Sequence, residues 1–162
     1  LKWEDLSHPT YTLVGNIPYS LSQEILLALL QNKSRLSSFY LLVQKEFALK
    51  LCAPSNTKSY NRMSVLTQAY TTPKILLTLP GNCFYPAPKV DSVFMEFFLL
   101  PNPYCSTFEK IITHLFSTRR KFLSHGLKSF NPQLLQKVPL DWHHKRIENL
   151  TPQELYHYLA LK

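Results

Sequence analysis

Strand-like and helix-like stretches alternate along the first hundred residues, and beyond Pro101-Asn102-Pro103 the strand signals stop. That switch limits the fold more than any other feature. Alternating elements bury their apolar faces in a sheet covered by helices, whereas a strand-free tail must pack helix on helix. Tyr11 to Val14 is a short β-prone run that ends at Gly15-Asn16. Ser20 and Gln23 then match an S-x-x-Q capping box, and Ile25, Leu26, Leu29 and Leu30 recur on one helical face. Phe39 to Val43 is a continuous apolar run, the pattern of a strand covered on both faces, and it leads into a second helix reaching about Ala53. A polar loop from Pro54 to Tyr60 precedes a third helix over Met63 to Tyr70. Lys74 to Leu79 and Ser92 to Leu100 read as two strands flanking a proline-rich loop, Pro80 to Lys89. This order predicts an α/β sheet with an antiparallel edge over residues 1–103.

Past the break, Ser106 and Glu109 form another capping box. Phe108, Ile111, Ile112, Leu115 and Phe116 match the i, i+3, i+4, i+7, i+8 template. Thr151-Pro152 with Glu154 marks a further helix start, with proline at the first helical position, where its missing N–H costs nothing. Residues 104–162 are therefore expected to form a small all-α domain.

Composition narrows the function classes. The hydrophobic fraction of 45% is that of a globular protein. Lys and Arg outnumber Asp and Glu by 18 to 10, a net charge of +8 that attracts polyanions, nucleic acid first among them. Cys52, Cys83 and Cys105 are odd in number and none lies at C-x-x-C spacing, which argues against a disulfide framework or a zinc site and fits a reducing cytoplasm. The adjacent His143 and His144 lack a partner at ligand spacing, so no metal is expected. The longest apolar run falls far short of a membrane span. Leu1 is not a methionine and Leu1 to Asp5 carry no targeting pattern, so the chain is expected to be part of a longer protein.

Chemistry concentrates at Asn16-Ile17-Pro18-Tyr19, in the loop after the first strand, where open α/β sheets place their ligands. These residue types suit transfer to an aromatic amino group. The lone pair of an adenine N6 is delocalised into the ring, and two acceptors around the amino hydrogens would aim it at an incoming group. The Asn16 carboxamide and the Ile17 carbonyl can be those acceptors. Pro18 pushes Ile17 to extended geometry and fixes that carbonyl. Tyr19 offers a face on which an extruded base stacks. Taken alone, the same four residues also suit a strand-ending turn with a buried tyrosine.

The run Thr12-Leu-Val-Gly-Asn-Ile-Pro-Tyr-Ser20 is followed by Gln44-Lys45-Glu46, Ser59-Tyr-Asn-Arg-Met-Ser-Val65 and Phe84-Tyr-Pro-Ala-Pro-Lys-Val-Asp-Ser92. Phe116-Ser-Thr-Arg-Arg-Lys-Phe-Leu123 and Arg146-Ile-Glu-Asn-Leu150 come after these. In this order the blocks resemble the KsgA/Dim rRNA adenine dimethyltransferases, from about Thr12 to Leu159. The resemblance implies a Rossmann-like methyltransferase sheet followed by a helical domain, with S-adenosylmethionine as donor. The implied substrate is a pair of adjacent adenines in small-subunit rRNA or the immature small ribosomal subunit, dimethylated on N6. It implies that Asn16 lies beside both donor and target amino group, and that Phe84 packs with Tyr19 against the flipped base. The family's glycine-rich donor loop lies upstream of this motif. Here Gly15, Gly81 and Gly126 are the only glycines, so no G-x-G exists. The expected sheet is accordingly partial, with its N-terminal strands missing, and the isolated chain is expected to be inactive. The expected state is a cytoplasmic monomer without membrane contact.

Arg119-Arg120-Lys121, His125 and Lys128 form a basic segment read as helical, with Lys121, His125 and Lys128 on one face and Phe122, Leu123 and Leu127 packing inward. Arg119, Arg120, Lys121 and Lys128 are candidate RNA-phosphate contacts, as is Lys89 and, by its Gln-Lys-Glu setting, Lys45. Asp91 is expected to hold its loop through backbone amides, and Arg62 suits either a brace or an RNA contact. Two other readings remain open: a resistance-type methyltransferase of large-subunit rRNA, and a non-catalytic RNA-binding assembly or transcription factor on the same fold.

Overall fold

The computed structural model describes residues 10–160, so the expectation about Leu1 to Asp5 lies outside the described residues. The described residues divide into two compact units: residues up to Leu49 with Tyr70–Tyr104, and Lys50–Ala69 with the chain from Cys105 onward. Past the proline break the chain rejoins the second unit at Cys105. It also takes in Lys50–Ala69, which the sequence reading groups with the sheet.

The first unit is built on four strands, β1 (Tyr11–Asn16), β2 (Leu36–Gln44), β3 (Thr71–Leu79) and β4 (Ser92–Leu99), in the order β1-β2-β4-β3. β1 runs parallel to β2, and β4 is antiparallel to both β2 and β3. Pro73 lies in β3, the outer strand of this order, where a residue without an N–H is tolerated. The register pairs Phe39 with Phe97, Leu41 with Met95 and Val43 with Val93, and all six side chains are fully buried on one face. The opposite face pairs Ser38 with Phe98 and Tyr40 with Glu96. On that face of β2 Leu42 is buried but Tyr40 is only half-buried, and Phe98 of β4 is 64% exposed, so the face is covered unevenly.

Helix α1 (Ser22–Gln31) buries Leu26, Leu29 and Leu30, as their spacing requires. Its start differs from expectation. The chain enters through a 3₁₀ turn at Tyr19–Leu21, Leu21 takes the N-cap position, and no side chain caps the helix. Ser20 is consumed by that turn and cannot serve as the cap. The proline break is anchored by the half-buried Lys33 ammonium, which donates to the carbonyls of Leu100 and Asn102 at 2.6 Å each. Burial holds that amine below the ordinary lysine range.

Helix α2 (Lys45–Leu51) carries the chain into the second unit, and α3 (Arg62–Tyr70) carries it back. The second unit then adds α4 (Ser106–Ser117), α5 (Leu123–Phe130) and α6 (Pro152–Leu159), with 3₁₀ turns at Pro132–Lys137, Leu140–His144 and Ile147–Asn149. Phe108, Ile111, Ile112 and Leu115 of α4 are buried together with Leu127, Trp142, Leu155 and Leu159. The cap of α4 is the Cys105 thiol, which accepts from the Phe108 amide, while Ser106 is already the first helical residue. The expected box at Ser106 and Glu109 is therefore replaced by a cap one residue earlier. Pro132 ends α5, because the residue before a proline is driven to extended geometry, and Asn131 sits at φ −159°.

The helix start expected at Thr151-Pro152 is observed, and a capping box forms there. The Thr151 amide and hydroxyl donate to Glu154 Oε2 at 2.8 and 2.7 Å, and the Glu154 amide returns a bond to Thr151 Oγ1. The bond from the Thr151 amide, then that from its hydroxyl, holds the Glu154 carboxyl below its ordinary value of 4.5. A depressed carboxylate stabilises the fold fully above its unfolded value, and this contribution is lost as pH falls through the lower folded value. Glu154→Gln should thus cost less than about 1 kcal/mol at neutral pH, the site being exposed. It should also flatten the acid side of the stability curve below pH 4.5, read by urea melts across pH.

Candidate functional site

The carboxyl ends of β1, β2 and β3 and the amino end of β4 share one edge of the sheet, with Asn16 paired to Leu42, Gln44 to Ser92 and Leu79 to Ser92. Asn16-Ile17-Pro18-Tyr19 leaves the sheet at that edge. Ile17 is buried and acts as the anchor of the loop, while Asn16 and Pro18 are exposed. Pro18 is extended, at φ −58° and ψ 129°, and its carbonyl accepts from the Leu21 amide at 3.0 Å and the Ser22 hydroxyl at 3.4 Å. The half-buried Tyr19 places its phenol against the Ser92 hydroxyl at the first residue of β4. The loop is thus held at three points, and none of them uses the Asn16 carboxamide. Among the described residues that amide has no hydrogen-bond partner, leaving its acceptor oxygen and donor nitrogen available to a ligand.

The loop between β3 and β4 ends at the same sheet edge. It closes tightly on itself: a Cβ at Gly81 would collide with the Pro88 carbonyl oxygen. The loop carries the half-buried Phe84 and the exposed Lys89. Asp91 does not hold it in the way expected. Its carboxylate pairs with the Lys45 ammonium at 3.1 Å, and its carbonyl accepts from the Lys45 amide. Lys45 is therefore an internal clasp between α2 and this loop, with its charge offset by a carboxylate. Ser92 was the member of this site that sequence reasoning missed. Its place at the end of the block from Phe84 was the available signal.

In the second unit the basic residues are arranged differently from the helical reading. Helix α4 stops at Ser117, residues 118–120 form a turn, and α5 begins at Leu123 with Phe122 extended at the N-cap, ψ 150°. Arg119, Arg120 and Lys121 therefore lie in the turn, and Lys121 does not share a helix face with His125 and Lys128. Leu123 and Leu127 are buried as expected, but Phe122 is 48% exposed. The break in helical phase at Phe122 turns it away from the buried stripe. Arg119 pairs with Glu148 at 2.7 Å and lines a recess of about 240 Å³ with Asn56, Thr57, Lys58 and Asn149. Arg120 and Lys121 line a different, larger recess of about 410 Å³ with Phe122, His125 and Arg146. Lys128 is exposed in the last turn of α5. Arg62 donates to the Thr113 hydroxyl at 3.3 Å, which makes it a brace onto α4.

Two of the separated sequence blocks meet here. The Asn56 amide donates to the Glu148 carbonyl, Asn149 donates to the Asn56 side chain, and the buried Tyr60 phenol donates to the Leu150 carbonyl, each at 2.8 Å. Burial, and then the negative charge of Glu154, pushes the Tyr60 phenol far above its ordinary range, so it stays a neutral donor. Asn56 sits at φ 64°, a conformation that asparagine tolerates better than most residues. Among the described residues no His, Cys, Asp or Glu cluster could hold a metal, and no helix is long and apolar enough to cross a membrane.

The sequence model for ribosomal RNA adenine dimethylases matches residues 1–159. The chain belongs to the ribosomal RNA adenine dimethylase family. Among curated dimethylase relatives, a probable ribosomal RNA small subunit methyltransferase A of Methanosarcina acetivorans is 36% identical over 155 residues, covering 88% of this chain and 57% of that protein. A ribosomal RNA small subunit methyltransferase A of Actinobacillus pleuropneumoniae is 32% identical over 143 residues, 85% of this chain and 49% of that protein. The chain thus spans about half the length of the curated relatives it matches. Among solved structures, a dimethyladenosine transferase from Plasmodium falciparum superimposes with a TM-score of 0.79 at 22% identity, over 96% of this chain and 68% of that one. A 23S rRNA methyltransferase, ErmE, gives 0.62 at 20% identity, over 98% and 69%. At these identities the structural likeness speaks for the fold, which is methyltransferase-like.

Proposed function

We propose that this chain forms the adenine-binding side of an S-adenosylmethionine-dependent enzyme that dimethylates N6 of two adjacent adenines in small-subunit rRNA. The observation that carries this reading is the exposed Asn16 carboxamide at the carboxyl end of β1, without a hydrogen-bond partner among the described residues, in a chain that matches the dimethylase family along residues 1–159. The Asn16 oxygen and the Ile17 carbonyl accept the two amino hydrogens of the target adenine, which aims the nitrogen lone pair. Tyr19 and Phe84 pack against the extruded base, with Tyr19 oriented by Ser92. Lys89, Arg120, Lys121 and Lys128 meet RNA phosphates, and Arg119 does so in part, since Glu148 already offsets its charge. The proton displaced from nitrogen passes to water, so no strong base is required. The enzyme acts on the immature small subunit, as a monomer in the cytoplasm; three cysteines outside any disulfide are compatible with a reducing compartment.

Bound S-adenosylmethionine supplies the electrophilic methyl group. Of the residues present, Asn16 would meet it at the reacting end. The adenosine end needs a tight glycine turn, and among the described residues no glycine has a positive φ. The 162-residue chain should therefore bind S-adenosylmethionine more weakly than about 100 μM by calorimetry. Binding near 1 μM would overturn the assignment of the donor's adenosine end to a segment outside these residues. The function itself is tested by mass mapping of rRNA adenines after reaction with the enzyme that joins this chain to its family's donor-binding segment. Dimethyladenine at two adjacent small-subunit positions is expected. Modification confined to large-subunit rRNA, or none at all with RNA still bound, would overturn it.

A further inference from the structure

The recess of about 410 Å³ in the second unit has a composition that backbone recognition does not need. Its lining holds three basic side chains, Arg120, Lys121 and Arg146, together with His125, an exposed phenylalanine and, among the described residues, no carboxylate. A surface that only tracks the phosphates of an RNA helix gains nothing from an aromatic ring. Here Phe122 keeps about half its area in water, and the backbone around it is fixed. The Phe122 carbonyl accepts from the His125 amide at 3.0 Å and the Gly126 amide at 3.4 Å. The walls are also tied together: the Leu123 amide donates to the Lys145 carbonyl and the Ser124 hydroxyl to the His143 carbonyl, both at 2.8 Å. The exposed His144 ring stands nearly perpendicular to Phe122, 6.0 Å between centroids.

We propose that this recess is a pocket for one unpaired RNA nucleotide, its base stacked on Phe122 and its flanking phosphates held by Arg120, Lys121 and Arg146. The volume lies within the roughly 300–1,000 Å³ of small-ligand pockets, which suits a single extruded nucleotide. An aromatic plate ringed by arginines is the arrangement that binds unstacked bases, each ring contact adding affinity independently of sequence. An acidic protein segment would use the cations but not the plate. The inference rests on the RNA-binding reading above and sharpens it: this surface selects a bulge or loop nucleotide rather than helical backbone alone.

The test uses the 162-residue chain and two RNA hairpins of equal length and charge, one fully paired and one with a single unpaired uridine. Fluorescence anisotropy should give about tenfold tighter binding to the bulged hairpin. Phe122→Ala should remove that preference by weakening bulge binding about tenfold, with paired-hairpin affinity unchanged, and Phe122→Trp should retain it. Arg120→Gln and Arg146→Gln should weaken both RNAs and flatten the salt dependence. A 4-thiouridine at the bulge should crosslink to the peptide containing Phe122, a readout that needs no variant to fold. No bulge preference, a preference that survives Phe122→Ala, or a crosslink elsewhere would overturn the pocket. If the arginine variants still weaken both hairpins in that case, the RNA-binding reading stands. Indifference of both hairpins to the arginine variants would remove that reading too. A glutamate-rich peptide of equal charge that competes as well as the bulged RNA would assign the recess to an acidic protein instead.

Discussion

Asn16→Ala, in the enzyme that joins this chain to its family's donor-binding segment, is expected to cut dimethyladenine formation about 100- to 1,000-fold. RNA affinity should stay within about twofold, because a neutral side chain at the sheet edge adds nothing to the phosphate attraction that dominates binding. The size follows from the role. An acceptor that acts on the amino group as it becomes nucleophilic contributes in the transition state and little in the ground state, so its loss appears in kcat rather than in binding. The structure separates this effect from a folding defect. Ile17 anchors the loop by burial, Pro18 caps the turn through its carbonyl, and Tyr19 is tied to Ser92, whereas the Asn16 side chain holds nothing among the described residues. Asn16→Ala should therefore melt with the unsubstituted protein. Asn16→Asp keeps an acceptor but loses the amide donor and adds a charge, so it should fall between the two. Quantitative mass spectrometry of the target adenines gives the rates. Equal rates for Asn16→Ala and wild type would remove Asn16 from the mechanism.

Phe97→Ala is expected to be the most damaging single change to the fold, costing about 3–5 kcal/mol. Phe97 and Phe39 are both fully buried and stack at 4.5 Å between centroids with 12° between planes, directly paired across β4 and β2. Truncating one ring leaves a void in the middle of the sheet's covered face and removes the stacking partner of the other. Domains are held by only about 5–15 kcal/mol, so this loss is enough to populate unfolded chain at ordinary temperature. The neighbouring residue supplies the control. Phe98 points to the other face and is 64% exposed, and Phe98→Ala should move stability by no more than about 0.5 kcal/mol. Urea midpoints compare the two. Similar costs would mean that the face bearing Phe98 carries as much of the packing as the face bearing Phe97.

Period and punctuation made most elements legible. The spacing of Leu26, Leu29 and Leu30, the apolar run from Phe39, and the stripe from Phe108 to Leu115 all report burial of one face, a local property that the chain writes directly into its pattern. Capping was less legible. A Ser followed three residues later by Gln or Glu can start a helix only if the serine stands just outside it. The 3₁₀ entry at Tyr19–Leu21 and the Cys105 thiol each moved that boundary, while Thr151, fixed by Pro152, kept its box. The basic segment failed for a related reason. Arg119 to Lys128 reads as one helix by spacing, but the turn at 118–120 and the extended Phe122 reset the phase, so residues counted onto one face do not share one.

The sequence by itself determined the family, the alternation that builds the sheet, and the loop in which Asn16-Ile17-Pro18-Tyr19 sits, because each is a matter of residue type and order along the chain. Only the tertiary structure decided which polar groups are spent and which are free. It tied Tyr19 to Ser92, Lys45 to Asp91 and Arg119 to Glu148, pairs separated by 73, 46 and 29 residues. It also placed Phe122 and Arg146 in one recess. Hydrogen bonds and ion pairs act over a few ångströms, and sequence separation carries no information about those distances until the backbone has closed.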